Sequence, residues 1–87
     1  MTGARWRPLR SAGAYTRREG DATLIEGYLD VYETNRVGAF IWSQCGGQMA
    51  LDELSAVVAR RYGVDGARAR ADVEAFVAGL RDLGFVI

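Results

Sequence analysis

The groups able to do chemistry in this chain are eleven arginines, eleven carboxylates and one thiol, Cys45; histidine and lysine are absent. Without histidine, the commonest general base and the commonest metal ligand are both missing. The carboxylate pairs Asp52/Glu53 and Asp72/Glu74 lie one or two residues apart on helical segments. That spacing splays them around a helix and does not converge them for general acid–base work, so they read as solvated faces. Gly46-Gly47 follows a helix, has no lysine and lacks the spacing of a phosphate loop. No loop has the oxygen-ligand spacing of a calcium site. Cys45 has no second cysteine to pair with and reads as a reduced, partly buried thiol beside Trp42. This inventory points away from an enzyme and towards a binding module, with no cofactor or metal expected.

Eighty-seven residues make one domain with a thin core. Apolar content of 49% and charged content of 25% are ordinary for a globular domain. No apolar run is long enough for a membrane span, and no secretory signal is present; cytoplasm is the default location. The net charge is zero but unevenly spread. Residues 1–20 carry five arginines against one acid (+4), and the remainder carries six arginines against ten acids (−4). Residues 1–11 are expected to form a flexible basic arm, with Trp6 and Leu9 as anchors, and residues 12–87 the domain.

Residues 13–19 suit a short strand, Gly20-Asp21 a turn, and Thr23–Glu26 a second strand. From Tyr28 to Glu33 the chain alternates, with Leu29, Val31 and Glu33 on one side and Tyr28, Asp30 and Tyr32 on the other. A three-stranded antiparallel meander results. Asn35 or Thr34 caps a first helix over about 35–45, with Val37, Phe40, Ile41 and Gln44/Cys45 as its buried stripe. A second helix covers 51–62, with Leu51, Leu54, Val57, Val58 and Tyr62 inward and a poor cap residue, Ala50, before it. Gly63 stops it, and Asp65 caps a third helix over about 66–83. Ala69, Val73, Phe76, Val77, Leu80 and Leu83 form the apolar stripe of that helix. The fold class is α+β: a three-stranded antiparallel sheet followed by three helices, in a winged helix-turn-helix-like order.

Such an order also suits a DNA reader, but phosphate binding needs a basic face. The third helix is balanced, with Arg68, Arg70 and Arg81 against Asp72, Glu74 and Asp82, so nucleic acid is the disfavoured rival. A peptide groove fits better. If the strand over Tyr28–Glu33 lies at the sheet edge, its free amide and carbonyl groups can pair with an added strand. Tyr28, Leu29, Asp30, Val31, Tyr32 and Glu33 are the candidate docking edge. On the third helix Arg68, Asp72, Val73, Phe76 and Leu80 are the candidate contacts beside it. Val73, Phe76 and Leu80 read equally as plain core, and Asp72 as a solvated charge.

Tyr32-Glu33-Thr34-Asn35 leading to Gly38-Ala39-Phe40-Ile41-Trp42, Leu51-Asp52-Glu53-Leu54, Tyr62-Gly63-Val64-Asp65, and Asp72-Val73 with Phe76, Leu80 and Gly84 together resemble the PqqD-like family. Its members are leader-peptide recognition elements of pathways that make ribosomally synthesised, post-translationally modified peptides. The resemblance covers about residues 13–87. It implies that the leader of a precursor peptide adds as a strand against the third strand, beside the third helix, and is presented to a modifying enzyme. A stand-alone chain of this length looks like the separate recognition protein of lasso peptide pathways, whose partner is a leader peptidase. A radical SAM enzyme is the alternative partner. The junction departs from the family pattern: Tyr-Glu-Thr-Asn stands where a Leu-Asn pair is common.

Overall fold

A computed structural model describes residues 5–87. The element order is β1 (Tyr15–Glu19), β2 (Ala22–Glu26), β3 (Val31–Thr34), α1 (Arg36–Ser43), α2 (Leu51–Tyr62) and α3 (Gly66–Asp82). The strands form one antiparallel sheet in the order β1-β2-β3. The expected meander and three helices are therefore present, with one boundary moved. The alternation from Tyr28 is strand only from Val31; Tyr28, Leu29 and Asp30 belong to the turn after β2, closed by the Gly27 N–H donating to the Asp30 carbonyl at 2.9 Å.

Register decides the two faces of the sheet. Ile25 pairs with Tyr32 and Thr23 with Thr34, and these four face the helices. Leu24, Glu26, Val31 and Glu33 point to the outer face, where Arg17 bridges Glu26 and Glu19 at 2.6 Å each.

The helices start and stop for local reasons. The Asn35 side chain accepts from the Gly38 N–H (2.9 Å), and the Asp65 side chain from Ala67 and Arg68. Ala50 has no side-chain acceptor, so α2 uses the other half of a capping box: the Ala50 N–H donates to Glu53 Oε1 at 2.9 Å. Gly63 ends α2 at φ +64°, a left-handed conformation that glycine adopts without steric cost.

The core is built from Ile25, Ile41, Trp42, Leu54, Val58, Val73, Val77, Leu80, Phe85 and Val86. On α1 the buried stripe is Gly38, Ile41, Trp42 and Cys45, one residue later than the expected Val37-based stripe. Two features set that phase. Trp42 has more apolar surface to bury than Val37. Gly38 lets the helix come so close that a Cβ there would collide with the Thr34 side chain and lie 3.0 Å from Phe76 Cε1.

The expected flexible arm is tied down where it is described. Leu9 and Ile87 exchange backbone hydrogen bonds (3.0 and 2.8 Å), Arg10 N–H donates to the Cys45 carbonyl, and Ser11 N–H to the Phe85 carbonyl. Pro8 is buried. The hydrogen bonds cross the expected boundary between residues 11 and 12, because the apolar tail Phe85-Val86-Ile87 needs a backbone partner. Residues 1–4 of that expected arm lie outside the described residues.

Candidate peptide-binding site

β3 has one neighbour, β2, so its other edge is open among the described residues. Hydrogen-bonded pairs alternate along an antiparallel ladder. Gly27 and Asp30 form such a pair, so Ile25/Tyr32 and Thr23/Thr34 do as well. The backbone groups of Tyr32 and Thr34 are thereby used towards β2. Those of Val31 and Glu33 point to the free edge.

Beside the end of that edge lies a groove of about 490 Å³ between α1 and the start of α3. Its lining is mostly apolar: Val37, Gly38 and Ile41 from α1, Val58 and Tyr62 from α2, Val64 from the α2–α3 turn, Ala69 and Phe76 from α3. Thr34 and Asn35 close it on the strand side. Arg68 and Asp72 stand at the rim, 3.6 Å apart and largely exposed. Their charges offset, which leaves an opening suited to an apolar side chain. The volume lies within the roughly 300–1,000 Å³ of small-molecule and side-chain pockets.

Aromatic packing holds the walls. Tyr32 stands edge-on to Phe76, with centroids 5.7 Å apart, and so ties β3 to α3. Phe40 stands edge-on to Tyr62 at 5.8 Å, and the Arg61 guanidinium covers Phe40 at 4.5 Å.

The sequence-derived candidates separate into three groups. Val31 and Glu33 are on the free edge, and Arg68, Asp72 and Phe76 line the groove. Tyr28, Leu29 and Asp30 sit in the exposed hairpin turn, not on a docking strand. Tyr32, a candidate of the docking edge, faces the helices as a structural neighbour of Phe76. Val73 and Leu80 are fully buried and have no surface to offer; the plain-core reading holds for both, because α3 turns that line of its stripe onto the sheet and α2.

Sequence reasoning missed Val37 and Val64 as groove residues. Both are apolar yet 36% and 40% exposed. Val64 carried a signal, since it is an apolar residue in a three-residue interhelical turn. Val37 carried none, because its spacing fits a core stripe as well as the true one does.

The thiol does not reach the groove. Cys45 is buried in the core, where its thiol donates to the Ile41 carbonyl at 3.3 Å. Burial pushes that thiol up to about 11, against a smaller opposing effect of the Arg10 charge. Among the described residues no cluster of three or more histidine, cysteine or acidic side chains could hold a metal. No described helix is long and apolar enough to cross a membrane.

The profile of a family described as coenzyme PQQ synthesis protein D (PqqD) matches residues 23–86. The chain belongs to the PqqD family. The matched segment starts in β2 and includes the β3 edge, all three helices and the groove, as the sequence resemblance implied. A solved structure titled "TbiB1 in Complex with the TbiA(beta) Leader Peptide" is similar over 90% of this chain and 93% of that one. The TM-score is 0.73 at 18% identity, a likeness of fold. No curated protein matches the sequence.

Proposed function

We propose that this PqqD-family protein binds the leader segment of a ribosomally made precursor peptide. The leader adds as a strand to the open edge of β3 and sets an apolar side chain into the groove between α1 and α3. The observation that carries this reading is the adjacency of the two features: unpaired backbone groups at Val31 and Glu33, and an apolar groove starting at Thr34. Backbone pairing supplies affinity without regard to sequence, and the groove supplies selectivity. The similar fold solved with a leader peptide supports it. The protein presents the bound precursor to a modifying enzyme, and a leader peptidase of lasso peptide biosynthesis is the partner we favour; a radical SAM enzyme is the alternative. The role is one of holding and orienting, without catalysis.

The test is fluorescence anisotropy with a labelled leader segment of the cognate precursor peptide. Phe76→Ala and Glu33→Pro should each weaken binding about tenfold or more, the loss of one good anchor or of one edge N–H donor with the local fit of the added strand. Wild-type affinity in both variants, with both folded by circular dichroism, rules the site out. Cleavage by a co-expressed leader peptidase that depends on this protein would support the lasso assignment.

A further inference from the structure

On the other side of α1 from the groove is a second, polar cleft, of about 280 Å³, between the helix-facing side of β1–β2 and α1. Arg17, Arg18, Asp21, Thr23, Arg36 and Trp42 are among its lining. Its charges are unequal in availability. Arg17 is held by Glu19 and Glu26. Among the described residues, Arg18 and Arg36 have no acid within ion-pair distance, and the one carboxylate in the lining is Asp21. The lining holds three arginines against one acid, and Arg18 and Arg36 are the two arginines without a partner.

Two local costs mark the cleft. Thr23 is 6% exposed, and its hydroxyl has no hydrogen-bond partner among the described residues. A buried hydroxyl left unpaired is destabilising. Arg36 is the first residue of α1, where a cation opposes the helix dipole and the first turn contains no acid. Thr23 stands directly opposite Arg18 in the β1–β2 register, so hydroxyl and guanidinium share one face. An oxyanion in the cleft would relieve both costs at once.

We propose that this cleft binds a single carboxylate, presented by an acidic residue of a peptide chain. Arg18 and Arg36 supply charge-assisted hydrogen bonds and the Thr23 hydroxyl donates a third. The volume falls below the roughly 300–1,000 Å³ of small-molecule sites and suits one side chain. A shallow depression shares Asp21 with the cleft and Thr34 and Asn35 with the groove, so a strand leaving the end of β3 has a surface path to it. The source of the carboxylate, an acidic residue of the groove-bound peptide, rests on the function proposed above; the cleft's chemistry does not.

The experiment is an NMR titration of the full isotope-labelled chain with acetyl-Gly-Glu-Gly-amide, with its Gln counterpart, and with inorganic phosphate. The Glu peptide should shift Arg18, Thr23 and Arg36 saturably and the Gln peptide should not. Arg18→Ala or Arg36→Ala should weaken that response about tenfold. Thr23→Val should weaken it while holding or raising the thermal midpoint, a combination that a merely structural threonine would not give. Phe76→Ala should leave it unchanged, which separates failure of this site from failure of the groove. No saturable shift with the Glu peptide overturns the proposal, as does a response to phosphate only or equal affinity in the arginine variants.

Discussion

Gly38 shows how much one missing side chain positions. Its Cβ would meet Thr34 and Phe76, so the glycine lets α1 lie against β3 and α3 and keeps the groove floor open. Gly38→Ala should lower stability by about 1–3 kcal/mol in urea melts, the usual range for overpacking. Gly79 is the control: a Cβ there meets only Tyr32, at 3.9 Å, inside a helix. Gly79→Ala should be neutral or stabilising by up to about 1 kcal/mol. A larger loss at Gly79 than at Gly38 would refute this packing account. Cys45 belongs to the same scale. Its folded value of about 11 lies above the ordinary thiol value near 9. A raised value means stability that is complete below about pH 9 and is lost as pH rises towards 11. Iodoacetamide at pH 8 should therefore label the folded chain far more slowly than the urea-unfolded chain; equal rates would contradict the burial.

At the scale of elements, β3 carries the functional argument. Its outward groups belong to Val31 and Glu33 and its inward groups to Tyr32 and Thr34. Proline at the two sets should therefore differ. Glu33→Pro removes an edge donor and should cost leader affinity with little loss of stability. Tyr32→Pro breaks the β2–β3 ladder and should cost stability by about 3 kcal/mol or more, seen as a fall in the urea midpoint. Equal losses of stability would mean that the register is wrong. The boundary of β3 was misjudged from sequence because Tyr28–Asp30 continue the alternation. Alternation cannot separate a strand from an exposed hairpin turn of the same hydropathy pattern. Helix positions were legible to within a residue or two, since Asn35, Gly63 and Asp65 mark their ends through local hydrogen bonding and glycine conformation.

The whole molecule closes by joining its ends. Residues 8–11 pair with the Cys45–Gly47 turn and with Phe85–Ile87, and the Trp6 indole donates to the Ile87 carbonyl at 3.3 Å. Arg81 stacks over Trp6 at 4.4 Å. Phe85 and Val86 are 3% and 1% exposed. Deleting residues 85–87 should remove about 3–6 kcal/mol of burial, against the roughly 5–15 kcal/mol that domains possess. A truncated chain with an unchanged urea midpoint would show that the terminal pairing contributes little. Sequence by itself determined the α+β class, the order of strands and helices, the helix caps, the family resemblance and the lack of a histidine-based site, because these depend on neighbours along the chain or on inventory. Phe76, Arg68 and Asp72 were also legible, as a stripe and its flank. Tertiary structure alone decided that β3 is an edge, that Val37 and Val64 face a groove while Val73 and Leu80 do not, and that the arm is pinned to the tail. Each of those depends on which face meets which across many residues, and periodicity gives the spacing of a face without saying what it packs against.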